Sequence, residues 1–65
     1  MIKKVREMIK MLESDGWFLY TQKGSHKQYK HKIKKGRVTI PDHGMNEVLD
    51  HKVVKSIMTQ AGIIK

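Results

Sequence analysis

Ile2, Val5, Ile9 and Leu12 fall three and four positions apart, and Met8 widens the stripe. That spacing predicts a helix over residues 2–13 with one apolar face. Ser14-Asp15-Gly16 supplies a stop, since Gly16 can take the left-handed conformation that closes many helices. Trp17, Phe18, Tyr20 and Thr21 prefer extended backbone and predict a strand over residues 17–21. Lys23-Gly24-Ser25 forms a turn, residues 26–31 a second strand, and Lys34-Lys35-Gly36 a second turn. Residues 37–40 form a third strand that Pro41 ends. Residues 42–49 have mixed polarity and read as a connecting loop. Val53, Val54, Ile57, Met58 and Ala61 recur with helical period over residues 51–61, with Asp50 placed to cap the start and Gly62 the end.

The order is helix, three strands, helix. Three antiparallel strands with both helices on one face give a two-layer α+β architecture, and both helical stripes are then buried on a single side. Length fits one domain over residues 1–65.

Alternation in strands decides which side chains meet. His26, Gln28 and Lys30 project together, and Tyr29 points the other way into the core. Val38 and Ile40 belong with the helices, which sends Arg37 and Thr39 to the opposite side. In the simple hairpin register, His26, Gln28, Lys30, Arg37 and Thr39 share the open face of the sheet.

Composition adds a partner class. Fourteen Lys and Arg against six Asp and Glu leave a formal net charge of +8 on 65 residues. Such a surface favours polyanions, nucleic acid first, although an anionic membrane surface or an acidic protein also satisfies the charge. The chain has no cysteine, so it forms neither a disulfide framework nor a thiolate metal site, and a cytoplasmic setting is expected. Charges interrupt the apolar residues at the N-terminus, so no membrane span or signal peptide is expected there.

The densest charge lies around Gly24-Ser25-His26-Lys27-Gln28-Tyr29-Lys30-His31. An imidazole titrates near neutral pH and lysines hold phosphate, a combination suited to cutting RNA. His26 takes first place among the four histidines because Gly24-Ser25 sets it at a hairpin edge between Lys23 and Lys27. Its local pattern also fits a solvated strand residue with no chemistry. His31 and His43 are weaker acid or base candidates, and His51, at the start of the second helix, has no expected catalytic role. No HExxH, cysteine pair or carboxylate cluster offers metal-ligand spacing, so neither a metal nor another cofactor is expected. Trp17, Phe18 and Tyr20 could stack on bases, but so small a domain needs aromatic area for its core, and packing is their expected use. Lys27, Lys30, Lys32, Lys34 and Lys35 form a candidate phosphate patch, which Lys52 and Lys55 could extend.

Several stretches together resemble the HicA toxins of HicA-HicB toxin-antitoxin systems: Leu12-Glu13-Ser14-Asp15-Gly16-Trp17, then Gln22-Lys23-Gly24-Ser25-His26-Lys27-Gln28-Tyr29-Lys30-His31, then Gly36-Arg37-Val38-Thr39-Ile40-Pro41, and Ser56-Ile57-Met58-Thr59-Gln60-Ala61-Gly62-Ile63. The resemblance implies a double-stranded-RNA-binding-domain-like fold of α-β-β-β-α order, with His26 in the place of the catalytic histidine. It also implies a metal-independent ribonuclease acting on messenger RNA, growth arrest by the free toxin, and neutralisation by a HicB-type antitoxin that covers the histidine. The chain departs from the family at Lys27, where many members carry a second histidine, and at Lys52-Val53, where many carry Gly-Thr. The expected site is His26 as general acid or base, with Lys23, Gly24, Ser25, Lys27, Gln28, Lys30 and Arg37 binding RNA. A non-catalytic RNA-binding module of the same fold is the alternative, and a purely protein-binding or membrane-surface domain is a third.

Overall fold

The computed structural model describes residues 3–63. Lys3–Lys4 (β1) lead into a helix at Val5–Ser14 (α1). Three strands follow, Trp17–Lys23 (β2), His26–His31 (β3) and Val38–Pro41 (β4). A two-residue strand at Val48–Leu49 (β5) and a helix at His51–Gln60 (α2) complete the order. The architecture is α+β, with an antiparallel sheet in the order β2-β3-β4 and two helices, consistent with the double-stranded-RNA-binding-domain-like arrangement.

The first helix starts three residues later than its apolar period predicts, and Ile2 lies outside the described residues. Lys3 and Lys4 pair instead with Leu49 and Val48 in a short antiparallel ladder. A helix leaves its first N–H groups without internal partners. Here the segment after β4 fills that need: Val5 N–H donates to the Glu47 carbonyl at 2.9 Å and Arg6 N–H to the Met45 carbonyl at 3.1 Å. The Glu7 carboxylate accepts the Lys4 N–H at 2.8 Å. Residues 42–49 are therefore not only a loop. They end in a strand and anchor Leu49 in the core, where it is buried.

The second helix follows the prediction closely. The Asp50 carboxylate accepts the Val53 N–H at 3.0 Å, which caps the N-terminus. At the other end Ile63 N–H donates to the Met58 carbonyl and Gly62 N–H to the Thr59 carbonyl, a Schellman closure made possible by φ +70° at Gly62. Ile63 folds back against the core, the apolar contact that accompanies this motif.

Both helical stripes meet one face of the sheet. Val5, Met8, Ile9 and Leu12 of α1 and Val54, Ile57 and Met58 of α2 are buried with Trp17, Tyr29, Val38 and Ile40. Truncating a fully buried member such as Leu12 to alanine would cost about 2–5 kcal/mol. Burial raises the pKa of the Tyr29 phenol, with Glu13 and Asp42 adding to the effect. Among the described residues the other face of the sheet carries no helix, and the hairpin β2-β3 places its turn at one end of that face.

Candidate nucleic-acid interface

Lys23 pairs with His26 across the hairpin, so Gly24 and Ser25 alone make the turn. Gly24 has φ +58° and among the described residues, Ser25 included, no non-glycine residue has positive φ, the pattern of a type II′ turn, which matches the twist of paired strands. Open space surrounds the position where a Gly24 side chain would begin, so backbone conformation is what demands glycine there. This turn carries the exposed His26 at the start of β3, opposite Lys23 on β2 and Pro41 on β4. Cross-strand partners of this kind lie about 5 Å apart at Cα and share a face of the sheet.

The register of β3 with β4 pairs Gln28 with Thr39 and Tyr29 with Val38. His26, Gln28, Lys30 and Thr39 thus share the open face, as alternation requires. Arg37 lies just before β4 and joins them, donating from its guanidinium to the Gln28 side-chain carbonyl at 3.3 Å.

An irregularity in β2 sets the rest. Leu19 pairs with Tyr29 and Thr21 with Gln28, which leaves Tyr20 as an extra residue in a β-bulge. A bulge shifts strand parity by one. Phe18 before it and Thr21 and Lys23 after it therefore occupy the same open face, paired with Lys30, Gln28 and His26. Without the bulge, Lys23 would point to the helix side. Tyr20 itself is turned onto the open face, where the Lys30 ammonium sits 3.9 Å from the centre of its ring. Tyr20, Thr21, Lys23, Gln28 and Arg37 line a shallow depression of about 470 Å³ beside the hairpin tip.

Phe18 and Tyr20 are not core residues. They remain 45% and 54% exposed, and of the three clustered aromatics only Trp17 is buried. The core is completed by aliphatic side chains from the helices, so the area of Phe18 and Tyr20 is left on the open face. The run Trp17-Phe18-Leu19-Tyr20-Thr21 itself carried the signal, because a strand with one buried face cannot bury five successive large residues.

Lys27 lies on the opposite side of the sheet from His26. It pairs with Gln22 and Ile40, and its ammonium contacts the Asp42 carboxylate at 2.6 Å with 18% of the side chain exposed. The Lys27 hydrogen bond holds the Asp42 carboxyl below the ordinary aspartate range, and Gly44 N–H adds a second donor at 2.9 Å. Asp42 N–H also donates to the Ser25 carbonyl at 2.6 Å, which fastens β4 to the hairpin turn.

Lys34 is likewise engaged. Its ammonium reaches the Asp15 carboxylate at 2.5 Å and the Ala61 carbonyl at 3.0 Å. That contact, together with the indole N–H of Trp17 at 3.1 Å, depresses the pKa of Asp15. Of the five-lysine run, Lys30 reaches the His26 face, Lys27 and Lys34 hold the fold, and Lys32 and Lys35 are exposed in the following bend. Lys52 and Lys55 sit on α2, in the helix layer, and do not extend the patch on the open face.

His31 is a structural residue. Its Nδ1 accepts the backbone N–H groups of Ile33 and Lys34 at 3.0 and 3.1 Å, so the ring proton resides on Nε2, which donates to the Asp15 carbonyl at 2.7 Å. The ring packs edge-on against Trp17 at 5.2 Å between centroids. His43 and His51 are exposed and lie outside the strands of the sheet. Among the described residues, no group of three His, Cys, Asp or Glu side chains is arranged to hold a metal ion, and no helix is long and apolar enough to cross a membrane.

The model of the family described as HicA toxin of bacterial toxin-antitoxin matches residues 5–63 of the 65-residue chain. The chain belongs to that family, and its role is that of the toxin in a toxin–antitoxin pair. A search of curated proteins returns no match.

Proposed function

We propose that this toxin is an endoribonuclease that cleaves messenger RNA without a metal ion, with His26 as the general acid or base. One observation carries the reading: an exposed imidazole at a hairpin tip, directly across from Lys23, on the face that also presents Lys30 and Arg37.

The chemistry follows from those groups. An imidazole can take the proton from a ribose 2′-hydroxyl as its oxygen attacks the adjacent phosphorus, or return one to the departing 5′-oxygen. The bond to that 5′-oxygen breaks as the bond from the 2′-oxygen forms. Negative charge spreads over the phosphoryl oxygens in between, and a fixed cation beside them lowers the barrier. Lys23 is the cation nearest to His26 by register, with Arg37 and Lys30 further along the same face. Gly24 and Ser25 carry the imidazole to the tip and leave it open to a polymer. Lys27, tied to Asp42 on the other side, serves the fold of this region rather than the phosphate.

The partner of this face is a HicB-type antitoxin, which would neutralise the toxin by covering His26 and the cations around it. Family membership supports an antitoxin partner, and the +8 charge supports an acidic surface on it.

The purified protein should degrade single-stranded RNA in excess chelator, and His26→Ala should abolish degradation while RNA binding and thermal unfolding persist. Undiminished cleavage by that variant would remove His26 from the chemistry. Binding without any cleavage by the unaltered protein would leave a non-catalytic RNA-binding module of the same fold.

A further inference from the structure

We infer that the depression lined by Tyr20, Thr21, Lys23, Gln28 and Arg37 is a nucleotide subsite, in which one unpaired base of the RNA stacks on Tyr20 while the cations hold its phosphates. The inference rests on the proposed ribonuclease reading for the nature of the polymer, and adds to it that the strand enters single-stranded.

Three independent features converge there. The first is the bulge. β-Bulges re-aim a side chain at the expense of a ladder hydrogen bond, and this one places Tyr20 and Thr21 together opposite Gln28 on the open face. Tyr20 is left 54% exposed, although a chain this short has few aromatic side chains to spend outside its core.

The second is that the ring is positioned. The Lys30 ammonium lies 3.9 Å from its centroid, a cation–π contact that restrains the ring and brings positive charge beside it. An aromatic surface adjoining fixed cations is how proteins hold single strands, because every base has a face to stack and every nucleotide a phosphate.

The third is the hydrogen-bonding capacity of the floor. Arg37 can only donate, so the Gln28 atom facing it at 3.3 Å must be the carbonyl oxygen. That fixes the amide orientation and leaves the Gln28 NH₂ as a donor in the depression that Thr21 and Lys23 also line. A donor-rich floor beside an aromatic wall matches a nucleotide with its anionic phosphate and oxygen-bearing sugar. An A-form duplex offers no base face to Tyr20, since its bases are stacked on one another within the helix.

The test is binding, measured separately from cleavage. All proteins carry His26→Ala, and fluorescence anisotropy follows a labelled single-stranded RNA oligonucleotide and a blunt duplex of the same sequence at low salt. Tyr20→Ala should weaken single-strand binding about tenfold or more, the loss of one base–aromatic stack. Tyr20→Phe should bind like the parent, because the ring is kept, and neither change should alter duplex binding. Circular dichroism would establish that both variants are folded, as expected for an exposed side chain. Equal single-strand affinity of Tyr20→Ala and the parent would overturn the subsite, as would tighter binding of the duplex than of the single strand by the parent. The ribonuclease reading fails on a different result, absence of cleavage by the protein with His26 intact, so the two outcomes cannot be confused.

Discussion

The imidazole of His31 donates from Nε2 to the backbone carbonyl of Asp15 across 2.7 Å, closing the end of α1 onto the end of β3. Gly16 makes the approach possible. It has φ +100°, and a Cβ built there would stand 2.6 Å from the His31 Nε2. Gly16→Ala must therefore strain the backbone and displace the ring. We predict a loss of about 2 kcal/mol of stability, the order of cost for a side chain held in that backbone region. The check is urea denaturation, where the midpoint of the variant should fall.

His31 and His26 lie on the same strand and should respond to substitution in opposite ways. His31→Leu removes the donor to Asp15 and the acceptor for the Ile33 and Lys34 N–H groups. It should lower stability by about 1–3 kcal/mol, the cost of leaving the partly buried Asp15 carbonyl and Lys34 N–H unpaired. Below its unfolding temperature this variant should still cleave RNA. His26→Ala should show the converse, an unchanged unfolding temperature and no cleavage. Loss of cleavage in a fully folded His31→Leu protein would contradict the division of roles.

The two helices, three main strands and their order follow from apolar period and glycine placement, because those signals are local. The face shared by His26, Gln28, Lys30, Arg37 and Thr39 follows from alternation on β3 and β4, which run without irregularity. Two features depend on partners distant in sequence and could not be read that way. The start of α1 at Val5 is set by carbonyls of Met45 and Glu47. The placement of Lys23 depends on the bulge at Tyr20, which reverses parity halfway along β2. Lys27 is separated from the phosphate face by the same alternation that grouped Gln28 with His26, and Asp42 takes its charge. Charge density along a chain does not distinguish a lysine that meets solvent from one that holds two elements together.

Acid should weaken the protein through its aspartates. The Lys27 ammonium, and after it the Gly44 N–H, hold the Asp42 pKa below its unfolded value. A carboxylate depressed on folding contributes stability that is present above the unfolded pKa and is lost as pH falls through the folded one. Asp15, held low chiefly by Lys34, and Asp50, held low chiefly by the Val53 N–H, act in the same direction. Thermal unfolding of the parent should therefore decline as pH falls from about 5 to about 3. Asp42→Asn should unfold at lower temperature than the parent at neutral pH, and the gap should narrow across that acid range. A gap independent of pH would mean that the Lys27–Asp42 charge interaction contributes nothing.

Salt dependence can separate lysines that meet RNA from those that do not. Each phosphate neutralised on a single strand contributes roughly −0.7 to the slope of log affinity against log salt. Lys23, Lys30 and Arg37 share the His26 face, so three contacts should give a slope of about −2. In a His26→Ala background, Lys30→Met and Arg37→Met should each flatten the slope by about 0.7. Lys27→Met removes the same formal charge one position from Gln28 on the same strand, yet its ammonium is bound to Asp42 on the helix side. The slope should stay near that of the parent, while the unfolding temperature falls with the lost ion pair. If Lys27→Met flattens the slope as much as Lys30→Met does, Lys27 must exchange Asp42 for phosphate when RNA binds, and the interface reaches around the edge of the sheet.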